Sequence, residues 1–403
     1  MHLGITESGP VKGRRVAITG LGVVSCCGIG VGAFWEGLLG EQQQGERQVR
    51  DFNPLDWLGP KEARRLDKFA HYAIAASQMA FDDAASSSGT LDVAPEKAGV
   101  VISTGFGGLE TFLEQVRIFN EKGAKRVSPF MIPMLMANAA TASVSMRLGW
   151  TGPSENVVTA CAAGTHGIAA AARMVASGRL DIAIGGGSEA SIAPLTIAAF
   201  GNMTALSDDG MSRPFDKRRS GFVLGEGAGA LVLEDLDHAH SRGAHVYAEI
   251  SGAASTADAY HVTQPAPDAR GAISCMELAI ADAGLTASDI GQINAHGTST
   301  PLNDLAESVA IHQVFGSPSP PVTSTKGITG HALGAAGAIE AVAIVLSIEK
   351  SLIPPTAGYE IEDSEIALDV VYGAARPWNP GHAISNSFGF GGHNGCLVIS
   401  ATS

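Results

Sequence analysis

Short β-branched runs that give way to glycine- and alanine-rich stretches recur along the whole chain. Arg15-Val16-Ala17-Ile18-Thr19-Gly20-Leu21-Gly22-Val23-Val24 reads as a strand, and so does Val246-Tyr247-Ala248-Glu249-Ile250-Ser251-Gly252-Ala253-Ala254. Val157-Val158-Thr159 reads as the end of a buried strand, followed at Cys161 by a sharp turn and a helix of small residues. Ile290-Gly291-Gln292-Ile293-Asn294 and Val322-Thr323 are further apolar strands that run into polar glycine and threonine turns. Strands alternating with alanine-rich helices predict an α/β architecture. The helix after Cys161 stays small and apolar for two turns, without the polar face of a surface helix, which predicts burial between sheets.

The pattern also repeats, which constrains the fold more than any single element. The strand at 15–24 is echoed at 246–254, strand–Cys161–helix by strand–His331–helix, and residues 221–233 by residues 387–399. Cys161 and Gly225 are 64 residues apart, and His331 and Gly391 are 60 apart, so the later parts of the two halves correspond. The first half carries extra residues before its cysteine, from about Gly105 to Met146. The expected organisation is a loose tail over residues 1–13, a half over 14–245 containing Cys161, and a half over 246–403 containing His296 and His331.

Composition narrows the setting. A chain of 403 residues that is 45% hydrophobic can bury a large core, in one domain or two packed halves. No apolar run approaches the roughly 18–20 residues needed to cross a bilayer, and the N-terminus lacks a signal pattern. Five cysteines, two of them the adjacent Cys26 and Cys27, give neither a disulfide framework nor metal-ligand spacing, so a reducing cytoplasm is expected. A net charge of −14 argues against nucleic acid as a partner. Fifty glycines with only 6% aromatic residues predict tight turns and closely packed helices.

The candidate chemistry lies where strands end, the usual place in α/β folds. A cysteine at a helix start feels unpaired N–H groups and the positive end of the dipole, both of which favour the reactive thiolate. A lone cysteine is more often a small buried hydrophobe, and either histidine alone is more often structural. Cys161, His296 and His331 in matching contexts together suggest a nucleophile served by two proton donors or anion stabilisers.

Three segments carry a resemblance. Thr159-Ala160-Cys161, Asn294-Ala295-His296-Gly297-Thr298-Ser299-Thr300 and Lys326-Gly327-Ile328-Thr329-Gly330-His331 resemble the active-site segments of the β-ketoacyl synthases of the Cys-His-His elongating type. Ser212-Arg213-Pro214-Phe215-Asp216, residues 221–229 and Asn386-Ser387-Phe388-Gly389-Phe390-Gly391-Gly392 extend it from about Arg14 to Ile399. The resemblance implies a thiolase fold, duplicated halves in a five-layer αβαβα sandwich. It also implies an acyltransferase that joins a Cys161-bound acyl group to the carbanion formed by decarboxylating a malonyl unit, both delivered on the phosphopantetheine arm of acyl carrier protein. No cofactor is expected.

Residue by residue, the resemblance makes Cys161 the acyl carrier and His296 and His331 the pair that bonds the malonyl thioester carbonyl. It makes the N–H groups of Cys161 and Phe390 the oxyanion hole, with Phe390 also a gate. Lys326 is expected to be structural and paired with Glu307, and Thr298 and Thr300 to bind the pantetheine arm. Glu340 and Asn386 match positions that can hold a structural cation; no catalytic metal is indicated. Phe106 matches the acyl-pocket wall, with plain core packing as the other reading. Lys61, Arg64, Arg65 and Lys68, at near-helical spacing and extended by Lys125, Arg126 and Arg213, form the expected carrier-docking patch. Three departures from the family are noted: Gly327 in place of serine, expected to loosen its turn, His393 in place of threonine near the gate, and Phe106 where relatives often carry a smaller aliphatic residue.

Two assemblies fit this reading, a homodimeric fatty-acid elongating synthase and the catalytic subunit of a type II polyketide synthase beside a chain-length-factor partner. The intact cysteine argues against a chain-length factor itself, and the intact Cys161, His296 and His331 argue against a non-catalytic scaffold. A thiolase is disfavoured because the Phe390 loop suits a synthase better than Cys396 suits a second catalytic cysteine.

Overall fold

A computed structural model describes residues 13–86 and 91–402, so the expected tail, apart from Gly13, lies outside the described residues. The first half contributes strands β1 (Val16–Ser25), β2 (Ala98–Ser103), β3 (Ser154–Glu155), β4 (Ile182–Glu189) and β5 (Gly227–Asp235). The second contributes β6 (Ala248–Ala257), β7 (Ile290–Asn294), β8 (Val322–Thr323), β9 (His382–Gly389) and β10 (His393–Ser400). The principal helices are α1 (Lys68–Ser86), α2 (Leu109–Lys122), α3 (Ala139–Leu148), α4 (Ala163–Ala176), α5 (Arg270–Asp282), α6 (Pro301–Phe315) and α7 (Ala336–Lys350).

The hydrogen-bonded ladder runs β3-β2-β4-β5-β1-β6-β10-β9-β7-β8, a palindrome in which each strand of one half has a counterpart in the other. The strand directions repeat as well: β2 is parallel to β3 and β4, and β5 is antiparallel to β4 and β1. Likewise β7 is parallel to β8 and β9, and β10 is antiparallel to β9 and β6. The halves meet through three residue pairs between β1 and β6, from Val16 opposite Ile250 to Ile18 opposite Ala248.

Helices α4 and α7 pack on each other and on strands of both halves, while α1 covers the outer face of one sheet and α5, with α6, the outer face of the other. The result is the five-layered αβαβα sandwich of the thiolase fold. The central layer is apolar on all sides, with Ile168, Val175, Ile339, Val342 and Val345 in one core cluster. Here the outer helices come close to the strands because glycine leaves room: a Cβ on Gly22 of β1 would sit 1.9 Å from the Ala76 carbonyl oxygen of α1.

Three expectations need correction. Val157-Val158-Thr159 is extended but outside any ladder, and the strand before it has only two exposed residues. Among the described residues no strand lies beyond β3 to pair with its outer edge, and Val158 is 49% exposed. Cys161 sits in a 3₁₀ turn, Ala160–Ala162, with α4 starting at Ala163. The repeat is also offset from the sequence echo. Ala160 (φ 50°) opens the turn before α4, and Leu333 (φ 45°) opens the matching 3₁₀ turn Leu333–Ala335 before α7. The counterpart of Cys161 is therefore Gly334, three residues beyond His331.

Candidate active site

Cys161, His296, His331, Thr298, Thr300, Phe390 and Phe106 all line one cavity of about 560 Å³. The elements that deliver them come from both halves: the turn before α4, the loop after β7, the segment between β8 and α7, and the hairpin joining β9 to β10. The ring centroids of His296 and His331 are 5.3 Å apart, with the planes at 81°. Phe222 packs edge-on against His331 at 5.3 Å, and Phe200 spans Phe222 and Phe390 at 5.3 and 6.5 Å. Sequence reasoning did not foresee these two phenylalanines, since ordinary core positions look the same.

Both imidazoles are buried, and each Nδ1 is buried without a hydrogen-bond partner. Desolvation first, then the nearby Lys326 ammonium, hold both rings well below the usual imidazole pKa; His331 lowers His296 further. Both are therefore neutral at physiological pH, each with an N–H to donate. The backbone N–H groups of His296 and Gly297 donate to the two oxygens of Glu307 at 2.8 and 2.7 Å, which fixes the loop after β7.

The expected depression of the thiol is overturned. Burial pushes Cys161 up to about 12, and Lys326 with the N–H of Phe390 only partly offsets that. In a site this dry, desolvation of the thiolate outweighs the helix start. Cys161 therefore rests as a thiol. The backbone N–H groups of Phe390 and Cys161 lie beside the sulfur and favour its thiolate.

Lys326 pairs with Glu340 of α7 rather than with Glu307. Glu307 is taken instead by the two backbone N–H groups and by Asn386 Nδ2 at 3.2 Å. Glu340 is paired with Lys326 and Asn386 with Glu307, and among the described residues no group of three or more acidic, histidine or cysteine side chains could hold a metal ion. The Thr298 and Thr300 hydroxyls are 2.9 Å apart, and Thr300 Oγ1 also caps α6 by accepting from the Asn303 N–H.

Gly327 does not loosen its turn. A Cβ there would meet the Ala357 carbonyl oxygen at 2.2 Å, so glycine permits a close approach. His393 opens β10 opposite Gly389, at the base of the Phe390 hairpin. His166, one helical turn beyond Cys161, was passed over. Its Nε2 faces the Asn394 carbonyl at 3.1 Å and so carries the proton, leaving Nδ1 to accept from the Thr159 hydroxyl at 2.8 Å.

The basic patch divides. Lys61, Arg64, Arg65, Lys125 and Arg126 are exposed, and Arg65 lies 4.4 Å over the Phe130 ring. Lys68 instead turns inward onto buried Glu226 at 2.8 Å, and Arg213 is clamped by Asp209 at 2.8 and 3.0 Å. The one-face spacing fails because the helix around Lys61 covers only Pro60–Ala63 and a new one begins at Lys68.

The N-terminal domain model of the beta-ketoacyl synthases matches residues 42–239 and the C-terminal domain model residues 247–360. The chain belongs to the beta-ketoacyl synthase family, whose members transfer acyl groups. It is 45% identical over 409 residues to 3-oxoacyl-[acyl-carrier-protein] synthase 2 of Synechocystis sp. (strain ATCC 27184 / PCC 6803 / Kazusa), covering 96% of this chain and 98% of the relative. The protein of that name from Staphylococcus aureus (strain COL) is 43% identical with the same coverage. Among solved structures, the ishigamide ketosynthase/chain length factor superposes with a TM-score of 0.91 at 33% identity, covering 97% of this chain and 100% of that one. A type II ketosynthase in complex with its acyl-carrier protein gives 0.89 at 32% identity and the same coverage.

Proposed function

We propose that this protein is an elongating β-ketoacyl-acyl-carrier-protein synthase, in which Cys161 accepts an acyl group and a malonyl unit is decarboxylated and condensed onto it. The observation that carries this is the convergence of Cys161, His296 and His331, from separate segments, on one apolar cavity. The thiol attacks the carrier thioester; the new thioester forms on Sγ and the carrier thiol leaves with the proton. The N–H groups of Cys161 and Phe390 take the negative oxygen of each tetrahedral intermediate. Two neutral imidazoles that donate N–H bonds suit the enolate oxygen left when malonyl loses carbon dioxide. Its carbon then attacks the acyl-Cys161 carbonyl, which releases a 3-oxoacyl product and expels the sulfur as a thiolate, which takes a proton from solvent to return to the thiol. Thr298 and Thr300 receive the phosphopantetheine arm. The chemistry needs no bound cofactor.

The expected halves, 14–245 and 246–403, meet at the β1–β6 seam. Phe119, Ile132, Met136, Met146 and Val158, all on the stretch between β2 and Cys161, are exposed apolar side chains suited to contact with a second subunit. Relatives supply both a ketosynthase/chain length factor assembly and synthases of fatty-acid type. We take the subunit to be a second copy of this chain, with a chain-length-factor-like protein as the alternative. A setting in the cytoplasm accords with five free cysteines, and none of the described helices is long and apolar enough to cross a membrane. The test is intact-protein mass after incubation with acyl-carrier donors, alone and with its genomic neighbours. Acylation must map to Cys161 and vanish in Cys161→Ala, whereas condensation retained by Cys161→Ala would overturn the assignment.

A further inference from the structure

At the end of β4, Glu189 is fully buried and takes no part in the chemistry above. Its Oε2 accepts the Gly105 N–H at 2.7 Å and the Gly334 N–H at 3.2 Å, and Oε1 accepts the Thr104 hydroxyl at 3.4 Å. These partners lie on two segments distant in sequence. Thr104-Gly105-Phe106 follows β2 and supplies Gly105 and Phe106 to the cavity wall. Gly334 lies in the turn before α7, at the position that matches Cys161 in the other half. The fit between them is close: a Cβ on Gly334 would stand 2.2 Å from the Gly105 nitrogen, and one on Gly105 would stand 2.7 Å from Glu189 Oε2.

A carboxylate buried without a cation, held by N–H and O–H donors alone, is costly to keep. Leucine or methionine would fill the space, but neither could bind two orphan N–H groups at once. We propose that Glu189 is a positioning residue that sets acyl-chain selectivity by stapling the Phe106 wall to the start of α7.

Glu189→Gln keeps the length: its amide oxygen can take the two backbone N–H groups and its NH₂ can donate to Thr104, so it keeps the staple. Glu189→Asp, one methylene shorter, releases the staple. Gly105→Ala releases it from the other side. Relative acylation of Cys161 by acetyl-, hexanoyl- and dodecanoyl-pantetheine should change at least about fivefold in Glu189→Asp and Gly105→Ala, and little in Glu189→Gln, as loss of a packed wall predicts. An unchanged primer profile in both wall variants overturns the proposal. The proposal rests on Cys161 as the acyl carrier. A parent enzyme that no primer acylates refutes that reading, whereas a normally acylated parent with unaltered variants refutes only the role of Glu189.

Discussion

Replacing Lys326 with methionine tests the buried pair that lies behind both histidines. Lys326 and Glu340 have side chains only 1% and 2% exposed, and Glu340 Oε2 already lacks a partner. Removing the ammonium leaves a bare carboxylate in an apolar layer. Breaking a buried pair from one side typically costs about 3–5 kcal/mol. With about 2.1 cal/mol/K of unfolding entropy per residue, the 403 residues give about 0.85 kcal/mol per degree, so Tm should fall by about 4–6 °C.

The loss should depend on pH. Burial holds Glu340 at about 7, above its unfolded value, and removing Lys326 raises it further. A raised carboxyl pKa lowers stability as pH climbs from the unfolded value to the folded one, after which the loss is constant. The gap between parent and Lys326→Met therefore widens as pH rises through 7 and narrows below it, so melts at about pH 6 and about pH 8.5 should differ visibly. The double variant Lys326→Met with Glu340→Met should recover most of the Tm, because two apolar residues leave no charge uncompensated. Lys326→Met should also alkylate more slowly at Cys161, since that ammonium pulls the thiol down. A double variant that melts as low as the single, or a gap independent of pH, would refute the reasoning.

Other outcomes follow from the same geometry. His296→Ala and His331→Ala should each lose about 10²–10³ in malonyl decarboxylation while retaining self-acylation of Cys161, read by carbon dioxide release and by mass; parental decarboxylation in either would remove its assigned role. Arg64→Glu with Arg65→Glu should weaken turnover of carrier-borne but not pantetheine-borne substrates, with the deficit fading as salt rises; equal loss with both donors would point to another docking surface. Phe106→Ala should lengthen the primers that acylate Cys161, and an unchanged profile would make the ring simple packing; overfilled channels typically cost about 1–3 kcal/mol, or about 5- to 150-fold in rate.

By itself the sequence determined the α/β class and the duplication, and it singled out Cys161, His296 and His331, which the fold brings to one cavity. Each of those has a local signature: β-branched runs before small-residue helices, the repeated order of strands, and polar glycine turns around Cys161, His296 and His331. What it could not determine was pairing. Lys326 lies 14 residues from Glu340 and 19 from Glu307, and only the packing of α7 against the segment after β8 decides for Glu340. Lys68 looked like one more surface cation until the fold placed Glu226, 158 residues away, beside it. Gly327 looked like slack and proved to be a contact with the Ala357 carbonyl. The thiol of Cys161 was judged from its helix start, which is local, yet its proton is held by desolvation, which depends on every layer around it. Burial and charge pairing sum over neighbours that the chain brings together only when folded, and so the residues that meet in the cavity were legible in sequence while their protonation and support were not.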